Sequence, residues 1–406
     1  MRVSVYMGAF AQDVETAAIG AFDPPLGPEI EIHFGMSQRA AAAATVAGDA
    51  IRLDGDGLER FGHVCLLMPL SNNYRRILAA LLGAVMLASC APTVIPAGET
   101  VRAPALEDGR YVAADGTSLP FAVWPAANGA PRAVILGVHG FGDYRNAWEE
   151  PAEIWAAAGI TTYAWDQRGF GASPTRGRWA GTQTLAGDIL AVARLVRARH
   201  PGVPFYLAGE SMGGALALVA AEQGADVDGL ILLATALRSR DTLGPVATGG
   251  LAFFAHVVPW LPVGPTSIDF QPTDNPRTME KLRKDPMILR YPRVDLGYGL
   301  VEAMDAAKKA APHIAKPYLM LHGLGDRLIP QDPVRSAIAL MPRRPDSHLG
   351  FYRDGYHMLL RDKEGPVVAK DIVAWIDDKR AALPSGADAE RTRPELAELW
   401  GSKRGG

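Results

Sequence analysis

A serine hydroxyl, an imidazole and a carboxylate in the right order make a nucleophile, its base and the group that orients the base. This chain offers one such set in Ser211, Asp326 and His357. Ser211 is the centre of Gly209-Glu210-Ser211-Met212-Gly213, a GxSxG with the apolar run 205–208 before it and the helix-compatible run 214–221 after it. Strand, sharp turn and helix is the setting that lifts a serine Oγ clear of a sheet, and small residues two before and two after it let the backbone make the turn. A bare GxSxG arises often by chance in a chain with 43 glycines, so the flanking strand and helix carry the weight.

Asp326 ends Gly323-Leu324-Gly325-Asp326, just beyond the apolar run 317–321, and Pro330 closes the turn. His357 follows the run 349–353 through Asp354-Gly355-Tyr356 and is the only histidine after the last expected strand. Serine, acid and base, each at a strand end, is the chain order that accompanies a nucleophile on a strand–turn–helix. His139 precedes the nucleophile, His322 precedes the acid loop, His256 and His313 fall in an insert, His200 ends a helix and His348 opens a strand. Each of these six reads as structural.

Acyl transfer also develops an oxyanion, which preorganised N–H donors must meet. Met212, following the nucleophile at a helix start, supplies one backbone N–H, and Phe141 in His139-Gly140-Phe141-Gly142 is the best candidate for the second. Asp166-Gln167-Arg168-Gly169-Phe170-Gly171 is glycine-rich but lacks phosphate-loop spacing, and reads as a turn in which Asp166 and Arg168 brace neighbouring loops. The chemistry calls for no metal and no organic cofactor.

The elements that must position these residues follow from periodicity. Short runs at 110–113 and 119–124 flank Asp115-Gly116 and predict an antiparallel hairpin. Strands are then expected at 133–138, 161–165, 205–208, 229–234, 317–321 and 349–353, with helices at 185–199, 212–223, 332–341 and 366–382. Such alternation predicts an α/β fold: a mostly parallel central sheet with helices on both faces. It breaks once, between the sixth strand and residue 317, where 243–261 is apolar nearly all round. The charged tail at 383–406, with Pro384, Gly386 and Pro394, is expected to fray.

At 406 residues and 48% hydrophobic content the chain can bury a large core. A net charge of −3 without a long basic stretch argues against nucleic acid as a partner. Two cysteines, Cys65 and Cys90, exclude a disulfide scaffold. Cys90 closes a different pattern. Arg75 and Arg76, the apolar run 77–88, then Ser89 and Cys90 make the basic, apolar and small-residue regions of a secretory signal, too short to span a bilayer. Leu87-Ala88-Ser89-Cys90 resembles the bacterial lipobox, whose cysteine is lipid-modified. That implies a membrane-anchored envelope lipoprotein facing outside the cytoplasm, with a signal peptide at 68–90 and a tether at 91–107. Such a signal must be N-terminal to be read. Translation is therefore expected to start at Met68, with 1–67 an upstream extension not made in the cell. The remaining mature chain is formally neutral, so its attachment would rest on lipid.

At the motif residues the chain resembles the monoacylglycerol lipase and lysophospholipase family of α/β-hydrolases, often grouped with the serine aminopeptidases. The matching pieces are the His-Gly turn at His139, Asp166-Gln167-Arg168-Gly169 with Gly171, Gly209-Glu210-Ser211-Met212-Gly213-Gly214, the loop around Asp326, Gly355-Tyr356-His357, and Asp285-Pro286 in the insert. The resemblance implies an α/β-hydrolase core at 108–236 and 317–382 with a helical cap at 237–316. It also implies hydrolysis of a small lipid-like carboxylic ester, a monoacylglycerol or lysophospholipid, through an acyl-enzyme on Ser211. Phe141 departs from the smaller residue expected there in the animal lipases. Two other readings stay open. An aminopeptidase of the same fold would need an acidic cap residue, such as Glu302 or Asp305, to hold the substrate's α-ammonium. A non-catalytic lipid-binding lipoprotein would have no need of the three side chains together.

Overall fold

The computed structural model describes residues 92–264 and 271–401. The upstream extension, the secretory signal and Cys90 lie outside the described residues. The chain divides into the units Met1–Ala80 and Leu81–Gly406, and the described residues all belong to the second.

Among the described residues nine strands form one sheet: β1 (Ala105–Glu107), β2 (Arg110–Val112), β3 (Ser118–Trp124), β4 (Ala133–Val138), β5 (Ile160–Trp165), β6 (Phe205–Glu210), β7 (Gly229–Leu233), β8 (Tyr318–Gly323) and β9 (His348–Tyr352), in the order β1-β2-β3-β5-β4-β6-β7-β8-β9. The first three are antiparallel, β3 runs antiparallel to β5, and every later pairing is parallel. The helices are α1 (Glu149–Ala157), α2 (Thr182–Arg199), α3 (Met212–Glu222), α4 (Arg240–Leu243), α5 (Pro245–Val257), α6 (Pro276–Lys284), α7 (Val294–Ala310), α8 (Gln331–Ile338), α9 (Gly365–Asp377), α10 (Ala389–Thr392) and α11 (Pro394–Gly401). The α/β expectation thus holds.

The strands that read as continuous apolar runs do so because both faces are covered. Along β4, Val134, Leu136 and Val138 join a core with α2 and α3, whereas Ala133 and Ile135 join a second core with α1 and α9. β6, β7 and β8 alternate in the same way, with Leu207, Leu232 and Met320 on one side and Ala208, Leu233 and Leu321 on the other. The two cores make the sheet the middle of three layers.

Two stretches differ from expectation. The expected tether is attached at several points among its described residues, 92–107, although 94–103 stay exposed: Thr93 N–H donates to Asp295 Oδ2 at 3.3 Å, Ile95 N–H to Trp179 C=O at 2.7 Å, and β1 pairs with β2. That extra three-residue strand, too short to show a period, makes β7 the seventh strand, so the insert follows the seventh and not the sixth. The tail does not fray through Gly401. Leu383, Leu396 and Trp400 are buried, Phe351 N–H on β9 donates to Ala387 C=O at 2.7 Å, and Trp400 Nε1–H donates to Tyr318 OH at 2.7 Å. β9 ends the sheet, and an edge strand left open is a template for association, so the tail covers it. Its many charges mask the few apolar residues that do so. Three helices escaped the sequence reading: α1 and, in the tail, α10 and α11.

Candidate active site

The C-terminal ends of β4, β6, β8 and β9 converge on one cavity, as ligand sites in open parallel sheets do. At the end of β6 the chain turns at Ser211 with φ 54° and ψ −117°, one of three non-glycine residues with positive φ among those described. Such a conformation costs on the order of 1–3 kcal/mol and persists only where surroundings enforce it. Here Ser211 N–H donates to Leu233 C=O at 2.9 Å, and Ser211 C=O accepts from Ala215 and Ala236 N–H. The flanking glycines are a packing necessity: a Cβ on Gly209 would stand 2.4 Å from Gly213 C=O, and one on Gly213 would stand 2.0 Å from Val138 C=O. The GxSxG is therefore the closest approach of strand, helix and the neighbouring β4.

Asp326 and His357 come together as the strand ends predicted. His357 Nδ1 lies 2.8 Å from Asp326 Oδ2. A carboxylate only accepts, so Nδ1 carries the proton and Nε2 is free to act as a base. The other carboxylate oxygen, Oδ1, accepts Leu328 N–H at 2.8 Å and Ile329 N–H at 3.0 Å, which fixes the carboxylate's orientation. The acid and base loops are zipped to each other by Leu324 N–H to Tyr352 C=O and Gly325 N–H to Gly355 C=O, at 2.8 and 2.9 Å. Gly323 permits that approach, since a Cβ there would stand 2.4 Å from the Gly355 carbonyl carbon.

Burial alone pulls the His357 pKa down. The charge and hydrogen bond of Asp326, with the charge of Glu210, outweigh burial and the opposing Arg361, so His357 titrates above the usual histidine value. Burial pushes Asp326 up, but His357, His322 and the Ile329 N–H hold it below the ordinary carboxylate value. His322, one residue from the end of β8, is driven down to about 4, chiefly by burial.

Ser211, His357, Gly140 and Phe141 line one cavity of about 400 Å³, whose remaining wall is largely apolar and includes Leu300 and Met304 of α7, Leu328, Ile329 and Met358. Phe141 packs edge-on against Phe170, with ring centroids 5.5 Å apart. A Cβ on Gly140 would stand 3.4 Å from Ser211 Cβ, so the Gly140-Phe141 turn lies directly over the nucleophile. Met212 opens α3. Both nitrogens of His139 are engaged by backbone: Nδ1 lies 2.8 Å from Gly140 C=O and Nε2 accepts Gln167 N–H at 3.0 Å, a neutral ring in one tautomer. Asp166 and Arg168 brace loops as expected, Asp166 holding Arg145 and the Ala172 N–H, Arg168 holding Asp115 and Asp188.

Glu302 and Asp305 do not face the cavity. Asp305 pairs with Arg240 of α4 at 2.6 Å, and Glu302 lies 4.0 Å from the same guanidinium. The acids that do line it, Asp143 and Glu210, are each paired with Arg361. Sequence reasoning missed all three; the available signal was an arginine following Leu359-Leu360, too apolar a setting for a solvated cation.

A family profile described as serine aminopeptidase, S33, matches residues 129–364. The monoglyceride lipase of Mus musculus is 30% identical over 68% of this chain and 92% of its own length. The monoacylglycerol lipase of Mycolicibacterium smegmatis is 26% identical over 66% of this chain and 95% of its own length. Among solved structures, a soluble variant of the Saccharomyces cerevisiae monoglyceride lipase in complex with a substrate analogue superposes with a TM-score of 0.57 at 21% identity, covering 71% of this chain and 97% of that one. These solved structures share the α/β fold described above.

Proposed function

This chain belongs to the serine aminopeptidase S33 family and is a carboxylic ester hydrolase; on that premise we propose that it cleaves monoacylglycerols through an acyl-enzyme on Ser211. The observation that carries the reading is the oriented His357–Asp326 pair beside a strained serine in a cavity whose far wall is apolar. His357 Nε2 takes the Ser211 proton as Oγ attacks the ester carbon. Phe141 and Met212 N–H hold the oxyanion, each such donor being worth about 10²–10³ in rate. The imidazolium returns its proton to the departing glycerol oxygen, and water repeats the attack to release the fatty acid. Met304, Leu300 and Met358 offer an apolar surface to the acyl chain.

The insert serves as the cap. Although α5 is apolar, only Ala255 of it is buried, and Val246, Phe253 and the nearby Trp260 are exposed, as suits a surface that meets lipid. Anchoring through a lipid on Cys90 in the cell envelope agrees with this, because Thr93, three residues on, is bound to Asp295 at the start of α7. The aminopeptidase alternative loses support from the engagement of Glu302 and Asp305 with Arg240.

The test is a panel of monoacylglycerols, lysophospholipids and aminoacyl amides with the wild-type protein and Ser211→Ala. Monoacylglycerols should turn over fastest, and Ser211→Ala should abolish that activity and fluorophosphonate labelling while the fold is kept. Undiminished turnover in Ser211→Ala would sink the assignment.

A further inference from the structure

At the wall of the cavity lies a buried charge cluster that acyl transfer does not itself call on. Arg361, in the short turn after His357, places its guanidinium 2.6 Å from Glu210 Oε2 and 2.7 Å from Asp143 Oδ2, the first a hydrogen bond and the second an ion pair. All three residues are buried. The two carboxylates belong to segments far apart in sequence that must nevertheless cooperate. Glu210 immediately precedes Ser211 and Met212, at the elbow. Asp143 is two residues beyond Phe141, and its own N–H closes that turn onto Gly140 C=O at 3.3 Å. Glu210 Oε2 also lies beneath the turn, 4.0 Å from where a Gly140 Cβ would stand.

Arg361 is itself held from behind. Its N–H donates to Met358 C=O at 2.8 Å, and its C=O accepts the hydroxyls of Thr273 and Thr278 of the insert at 3.1 and 2.9 Å. Burial would favour a neutral guanidinium, but the two carboxylates keep it charged.

We propose that Arg361 is a positioning residue that braces the turn carrying Phe141 against the elbow carrying Met212, and so sets the separation of the two oxyanion donors. The inference rests on the reading of Ser211 as an acylated nucleophile. A planar guanidinium can meet two carboxylates in fixed directions, which a lysine ammonium cannot. Oxyanion stabilisation is sensitive to small displacements of its donors, so loosening the brace acts on the transition state more than on substrate binding.

The experiment compares wild type, Arg361→Lys, Asp143→Asn and Ser211→Ala in ester kinetics, fluorophosphonate labelling and thermal melting. Arg361→Lys should lower kcat by about 10- to 100-fold with KM changed by no more than about twofold, and slow labelling by the same factor as kcat. Asp143→Asn breaks only the turn's arm of the brace and should give a smaller loss of the same kind; it decides the matter if Arg361→Lys does not fold. Folded variants that keep kcat and labelling within about twofold of wild type overturn the brace. So does a raised KM with kcat retained, which would make the cluster part of substrate binding. An inactive wild type or an active Ser211→Ala strikes instead at the hydrolase reading itself.

Discussion

The loop after β4 and the loop after β9 each bury a histidine at the same edge of the same sheet, and the two rings behave in opposite ways. The His139 ring has a backbone carbonyl and a backbone N–H as its hydrogen-bond partners, and burial drives its pKa down. His357 meets the Asp326 carboxylate and its pKa rises. Burial by itself makes a neutral structural ring, whereas burial beside an oriented carboxylate makes a ring that can accept a proton and hold the charge. The difference lies in one partner, supplied by β8 from 31 residues earlier in the chain.

Removing that partner should cause the largest change. Asp326→Asn keeps the shape of the pair but loses the charge and favours the wrong tautomer, so kcat should fall by about 10⁴-fold in steady-state ester hydrolysis. If kcat falls by less than about tenfold, the carboxylate is not what separates the two loops.

The same contrast sets the pH dependence. His357 must be neutral to act as base, and its folded value is raised, so kcat/KM should be lost as pH falls through a midpoint above the usual 6.5. In Asp326→Asn, burial is left without its main opponent and the residual activity should titrate at lower pH. An unmoved midpoint would break the comparison. For stability the signs differ between the two classes. Buried His139 and His322 have lowered values, so the stability tied to their neutral rings is present above the unfolded histidine value and drains away as pH falls below it, for His322 toward about 4. The contribution of the raised His357 is present below the unfolded value and is lost as pH rises through the folded one.

The smallest effect on catalysis should come from His139→Leu. It leaves the Gln167 N–H without its buried acceptor, which costs about 1–3 kcal/mol. A lowered melting temperature with an unshifted acid limb in the pH profile is the expected outcome. A shifted limb would mean that His139 takes part in the protonation of the site.

Most of the framework was legible in the residues. The apolar runs of β4 to β9 stand out because parallel strands are covered on both faces, and the strand-end loops after β6, β8 and β9 stand out because glycine is compulsory where backbones nearly touch, as at Gly213 and Gly323. Less legible were features whose signal is not periodic. β1 has three residues, and the tail hides Leu396 and Trp400 among charges. The insert revealed its apolar content but not which side it would show.

Composition, periodicity and chain order thus determined the layered α/β architecture, the serine at its sharp turn and the aspartate and histidine at neighbouring strand ends, because each follows from local sterics or from what a strand end must carry. Only the tertiary structure decided that Glu302 and Asp305 serve Arg240 and not the cavity, that both His139 ring nitrogens meet backbone, and that Arg361 bridges Glu210 and Asp143. Those outcomes depend on which charges are brought together out of water. That depends on long-range packing, which no stretch of sequence contains by itself.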